Sequence, residues 1–131
     1  MPRLALALAL CACLLAGCGG DEKKKRAGRA VTLPAGKELR VVGKEYSFDP
    51  ARVTVTGGAA DLDVALDNRG ALAHNPKVLR GEEARGGTPT FQGGMVRSGS
   101  VRLEPGSYRM VCTVGDHERL GMVGTLEVRA K

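Results

Sequence analysis

The chain is short of the residues that most often carry recognition and chemistry. It has no tryptophan, two tyrosines, two phenylalanines and two histidines among 131 residues. With Tyr46, Phe48, Phe91 and Tyr108 as its whole aromatic complement, a folded core must rely on aliphatic side chains. The scarcity also argues against nucleic-acid binding, which needs a basic groove with rings on which bases can stack. No apolar run reaches the roughly 20 residues of a transmembrane helix. No apolar pattern of 3.6-residue period persists for three turns, which removes a long amphipathic helix. Of the four cysteines, Cys11, Cys13 and Cys18 fall at the start of the chain. The remainder holds Cys112 alone and can form no internal disulfide.

What is present at the N-terminus reads as an export signal. Met1, Pro2 and Arg3 precede an apolar run from Leu4 to Leu15, the charged region and short hydrophobic region of a secretory leader. The run ends in Leu15-Ala16-Gly17-Cys18, which resembles the bacterial lipobox, whose cysteine is acylated and becomes the first mature residue. The expected organisation is a lipoprotein signal peptide over 1–17, a lipidated Cys18 with a charged linker over 18–30, and one folded domain over 31–131.

Charge follows the same division. The whole chain carries +6. Arg3 lies in the expected leader, and residues 19–30 hold five basic against two acidic side chains, so the body from Val31 onward is only +2. The high isoelectric point therefore belongs to the linker, a solvated segment with some attraction for anionic lipid head groups. As a flexible coil its twelve residues span about 20 Å.

The body predicts an all-β domain. Glycine is abundant, and Pro34, Pro50, Pro76, Pro89 and Pro105 interrupt the chain at short intervals. Alternating segments occur at 38–42, 52–56, 61–66, 100–103, 108–112 and 125–129. Many short strands between Gly/Pro turns indicate a sandwich or barrel. Glu104-Pro105-Gly106-Ser107 predicts a hairpin turn, and 81–87 and 88–94 predict loops.

Against this plain background one cluster stands out. Cys112, His117 and Met122 are spaced Cys-x4-His-x4-Met, and His74 lies upstream in the stretch ALAHNP. A lone thiol in an exported chain calls for an explanation other than a disulfide. It is either a buried inert cysteine or a metal ligand. One thiolate, two imidazoles and one thioether form a donor set that keeps both borderline Cu(II) and soft Cu(I) accessible. Period-two alternation puts Tyr108, Met110 and Cys112 on one face of their strand, with Arg109 and Val111 on the other, so Cys112 points inward at a strand end. A tight loop then brings 112, 117 and 122 to one ion, and His74 must arrive from another strand or loop.

At these residues the chain resembles the cupredoxins, the blue copper family that includes plastocyanin, azurin and auracyanin. Gly106–Val128 is similar to the family's C-terminal copper loop, and DNRGALAHNPKV to its first-histidine segment; together the resemblance spans most of Lys37–Lys131. It implies a Greek-key β-sandwich with one copper ion, cycling between Cu(I) and Cu(II), at one end. It implies His74, Cys112 and His117 as the strong trigonal ligands, Met122 as the long axial ligand, and Asn75 as the residue tying the two ligand segments together near the cysteine sulfur. One departure is Gly115-Asp116 where relatives often have Pro-Gly before the second histidine.

The functional expectation is a monomeric, non-enzymatic carrier of single electrons between redox partner proteins, lipid-anchored on the extracytoplasmic face of a bacterial membrane. The alternative is an extracytoplasmic copper-binding protein that buffers or delivers the metal. Copper-dependent enzymes built on such domains need further ligands, and this chain has no third histidine to supply them.

Overall fold

The computed structural model describes residues 28–131. The expected signal peptide, Cys18 and nearly all of the linker lie outside the described residues. Within them the regular structure is ten strands: β1 (Ala30–Pro34), β2 (Leu39–Lys44), β3 (Ser47–Asp49), β4 (Arg52–Thr56), β5 (Ala60–Asn68), β6 (Lys77–Arg80), β7 (Glu83–Gly87), β8 (Met95–Leu103), β9 (Gly106–Val111) and β10 (Val123–Val128).

The strands form one curled sheet in the order β1-β4-β10-β9-β6-β7-β8-β5-β2-β3. Curling turns the run β1-β4-β10-β9-β6 into one layer and β8-β5-β2-β3 into the other, giving a sandwich. The seam is β7, joined to β8 by a single pair, Gly86 with Val101. Pairing is parallel for β1–β4, β4–β10 and β2–β5, and antiparallel elsewhere.

Alternation in the sequence becomes inside and outside in the fold. Leu39 and Val41, Val53 and Val55, Leu62 and Val64, Val101 and Leu103, Tyr108 and Met110, and Leu126 and Val128 all point into the core and are buried. Their outward neighbours Arg40, Asp61, Asp63, Arg102, Arg109 and Glu127 are exposed. Burial of each large aliphatic side chain contributes about 1.5–3 kcal/mol, so aliphatic residues hold the sandwich together with few aromatics.

Two local expectations are corrected. Residues 83–87 form β7 and are not loop. Gly86 (φ 137°) and Gly87 (φ 135°) lie where L side chains rarely go, and a Cβ at either would meet neighbouring backbone, at Ser100 and at Pro76 respectively. Glycine here is a condition for close strand approach, whereas in the sequence it reads as a turn. Glu104–Ser107 is likewise no hairpin turn. It carries the chain from β8, paired with β5 and β7, to β9, paired with β10 and β6. The crossing is fixed by Tyr108, whose hydroxyl accepts from Glu104 N–H at 2.9 Å and donates to Glu104 C=O at 2.8 Å. This is the tyrosine-corner device of Greek-key sandwiches.

Candidate metal centre

The site is built from two segments at one end of the sandwich. The first begins where β9 ends. Cys112 is fully buried, and its N–H donates to Met122 C=O at 3.1 Å. Between them the chain folds on itself through backbone bonds: His117 N–H to Val114 C=O, Leu120 N–H to Asp116 C=O, Gly121 N–H to Glu118 C=O, and Met122 N–H to His117 C=O at 2.9 Å. Gly115 (φ 48°) and Gly121 (φ 110°) supply the left-handed residues this winding needs. On the loop's exposed face, Arg109 of β9 pairs with Glu118, and Arg119 pairs with Asp116 within the loop. Such exposed pairs are worth about 0–1 kcal/mol each.

The second segment lies between β5 and β6. His74 forms an isolated bridge with Phe91, each N–H donating to the other's carbonyl, at 3.1 and 3.2 Å. Asn68, fully buried at the end of β5, shapes the approach. Its amide donates to Leu72 C=O and Phe91 C=O, and its carbonyl accepts from Gly70 N–H. Asn75 joins this segment to the first: its Oδ1 accepts from Thr113 N–H at 2.8 Å, and its Nδ2 donates to Thr113 Oγ1 at 2.9 Å and Thr90 Oγ1 at 2.7 Å.

These elements bring three donor atoms together. His74 Nδ1 and His117 Nδ1 are 3.2 Å apart, and Cys112 Sγ lies 3.5 Å from His117 Nδ1 and 3.9 Å from His74 Nδ1. A triangle with these sides has a point in its plane about 2.1 Å from every corner, close to first-row metal–imidazole and metal–thiolate bond lengths. All three side chains are buried, His74 at 0% exposure and His117 at 8%. The donor set and its spacing fit a transition ion in a trigonal frame of two nitrogens and one sulfur. Met122, the fourth residue singled out in the sequence, is held by its two backbone bonds and is wholly buried. Its methyl carbon would stand 3.5 Å from a Cβ built at Gly43, so the bare backbone there leaves it room.

Two further residues border the site, and both come from the turn between β2 and β3. Glu45 Oε1 lies 3.5 Å from His74 Nε2, and it accepts hydrogen bonds from Ala71 N–H at 2.7 Å and Leu72 N–H at 3.0 Å. The Leu72 bond is the chief cause that holds the Glu45 carboxyl down at about 2, with smaller lowering from the bond to Ala71 and from the nearby His74 ring. Tyr46 packs its ring edgewise on His117, with centroids 5.1 Å apart, from a left-handed conformation (φ 57°). Burial is the main influence on His74 and pushes its imidazole below the ordinary range, with Glu45 pulling the other way. The neutral ring is thereby favoured, and that is the form with a lone pair to share.

Neither Glu45 nor Tyr46 is visible as a site residue in the sequence. Nothing in KEYSFD marks them, since their place depends on β2 pairing with β5. Asn68 is equally hidden, although it stands in the same stretch as His74.

Neither a protein-family model nor a curated protein matches this chain. Several solved structures share its fold. A dithionite-reduced auracyanin from Roseiflexus castenholzii superposes with a TM-score of 0.64 at 20% identity, covering 72% of this chain and 98% of its own. Auracyanin A, described as a "blue" copper protein from Chloroflexus aurantiacus, gives 0.62 at 21%, covering 73% and 99%. Rusticyanin from Thiobacillus ferrooxidans gives 0.52 at 20%, covering 80% and 88%. The chain therefore has the cupredoxin fold.

Proposed function

We propose that this protein binds one copper ion through His74, Cys112, His117 and Met122 as a type 1 site and carries single electrons. The observation that supports this most is the buried triangle of two imidazole nitrogens and one thiol sulfur, at 3.2–3.9 Å. Copper held by such a set supplies a one-electron couple between Cu(II) and Cu(I). Everything else falls to the protein. The Asn75–Thr113 bonds and the stapled loop fix the ligands in place, so that little has to move when charge is gained or lost. Burial keeps water away from the ligands, and the Met122 thioether would be the weaker partner, adjusting the balance of the two oxidation states. A protein that hands the metal on needs ligands that can be exposed in turn, and here all four are buried.

The same reading covers the surroundings. Leu72 and Leu120, each 42% exposed, flank the two histidines in sequence and offer an apolar surface to a redox partner. The N-terminal motif supports attachment through an acylated Cys18 at the extracytoplasmic face of a bacterial membrane, the charged linker holding the domain close to the surface. Two acyl chains suffice for stable anchoring.

The test is the optical and electron-spin spectrum of the copper-loaded domain. An intense blue thiolate-to-Cu(II) band that disappears on reduction and returns on oxidation is the expected result. A colourless protein, or one that loses copper on a single cycle, would sink the carrier reading in favour of copper handling. For the anchor, Cys18→Ala should release the protein into the soluble extracytoplasmic fraction or leave it unprocessed.

A further inference from the structure

His74 Nε2 is a buried polar atom with no hydrogen-bond partner of good geometry. Buried polar groups are nearly always paired, so each orphan asks for a reason. One carboxylate oxygen faces it, Glu45 Oε1, at 3.5 Å. That oxygen is not free to wander. Two successive N–H groups, of Ala71 and Leu72, hold it from the loop that leads into His74. The opposite wall is equally specific. A Cβ at Gly70 would stand 2.9 Å from His74 Nε2 and would overlap Glu45 Oε1. Residue 70 lacks a side chain where carboxylate and ring must approach. Glu45 itself is presented by a turn whose next residue, Tyr46, takes a left-handed backbone (φ 57°) and packs on the other histidine. One turn thus braces both imidazoles.

We propose that Glu45 is a positioning residue of the metal centre: it holds the proton of His74 on Nε2, leaves Nδ1 free to bind the metal, and by its negative charge lowers the reduction potential. The inference rests on the copper reading above and goes beyond it, because it concerns a residue that does not touch the ion. The physics is that of a carboxylate–histidine–metal arrangement, in which the outer carboxylate fixes tautomer and ring orientation and makes the ligand more basic. At 3.5 Å the contact is longer than a good hydrogen bond, and its weight is electrostatic. A nearby anion favours Cu(II) over Cu(I), so it moves the couple downward.

Two substitutions separate charge from contact. Glu45→Gln keeps an oxygen acceptor and removes the charge, and Glu45→Ala removes both. Loss of an outer partner of this kind typically costs 10–100-fold in metal affinity, and because the anion favours Cu(II), the lower end of that loss is assigned here to Cu(II) alone. A tenfold change in the ratio of affinities for the two oxidation states equals 59 mV for one electron. Voltammetry of copper-loaded Glu45→Gln should therefore show a rise of about 59 mV with the blue band retained. Imidazole nitrogen shifts of the metal-free domain should show His74 as the Nε2–H tautomer in wild type and Glu45→Gln, and a mixture of tautomers in Glu45→Ala. An unchanged potential in Glu45→Gln overturns the electrostatic part. An unchanged tautomer in Glu45→Ala overturns the positioning part. If the wild-type domain takes up no copper, it is the copper reading that has failed, and the metal-free tautomer measurement still decides the role of Glu45.

Discussion

The two histidines of the site are held in opposite ways. His117 sits on a loop of consecutive residues stapled by its own backbone, from Cys112 N–H to Met122 C=O, with the Tyr46 ring resting edgewise on it from the β2–β3 turn. His74 is held by side chains and strands from far along the chain: Asn68 on β5, Phe91 across a bridge, Asn75 to Thr113, and Glu45 from the β2–β3 turn. One is a local device that travels as a unit in the sequence. The other exists only when the sandwich has formed. On the proposed reading this is a division of labour, in which the loop would supply the sulfur donors and the exchange surface while the brace supplies rigidity.

The strongest way to break that division is at the sulfur on which both halves depend. Cys112→Ser should abolish the blue absorption altogether, because a serine oxygen gives no thiolate charge transfer; retained colour would mean that the ligand assignment is wrong. Next in size is the link between the halves. Asn75→Ala leaves Thr113 N–H and the hydroxyls of Thr90 and Thr113, both exposed residues, to water, so each lost bond counts for its net worth of about 0.5–1.5 kcal/mol. We expect a loss of about 3 kcal/mol, which at about 4–8 °C per kcal/mol lowers Tm by more than 10 °C. Calorimetry of the metal-free domain reads this directly, and an unchanged Tm would show that the loop and the brace are independent.

Smaller changes sharpen the contrast. On the proposed reading Met122→Leu removes a weak thioether donor, which matters more to Cu(II) than to Cu(I). The variant should stay blue with a raised potential in voltammetry, whereas loss of copper would make the thioether a main ligand. Smallest is Leu120→Lys on the exposed side of the loop. Its spectrum should match wild type while stopped-flow electron exchange with a redox partner slows; equal rates would move docking away from the loop.

Legibility in the sequence follows the same line. The ligand loop can be read because its residues are five apart and their strand phase is local. The segment 52–56 reads as a strand and is one, and the inward face of Tyr108, Met110 and Cys112 agrees with their burial. What escapes depends on distant partners. β7 hides behind Gly86 and Gly87, which serve close packing rather than turning. β8 runs from Met95, but only 100–103 shows in the sequence, because Arg97 and Ser98 break the apolar rhythm on an exposed face. β3 is three residues long, too short for alternation to register, while β1 closes on Pro34 and β6 sets Val78 and Leu79 side by side, so neither shows a clean alternation. Glu45 is invisible because a glutamate in a turn looks like any solvated charge until β2 is laid beside β5.

Cys112 and Thr113 are neighbours in the chain, yet their N–H groups face different ways. The first donates to Met122 C=O at 3.1 Å and the second to Asn75 Oδ1 at 2.8 Å. Adjacent residues of an extended chain present alternate sides by geometry, and here that alternation becomes a joint. The main chain of Cys112, with one of these amides on either side of it, is a shared hinge pin: neither ligand segment can swing away without pulling on it. These two amides are therefore witnesses to the assembled frame, readable without any metal. Slow deuterium exchange at both reports a closed joint, and fast exchange at one of them tells which half has let go.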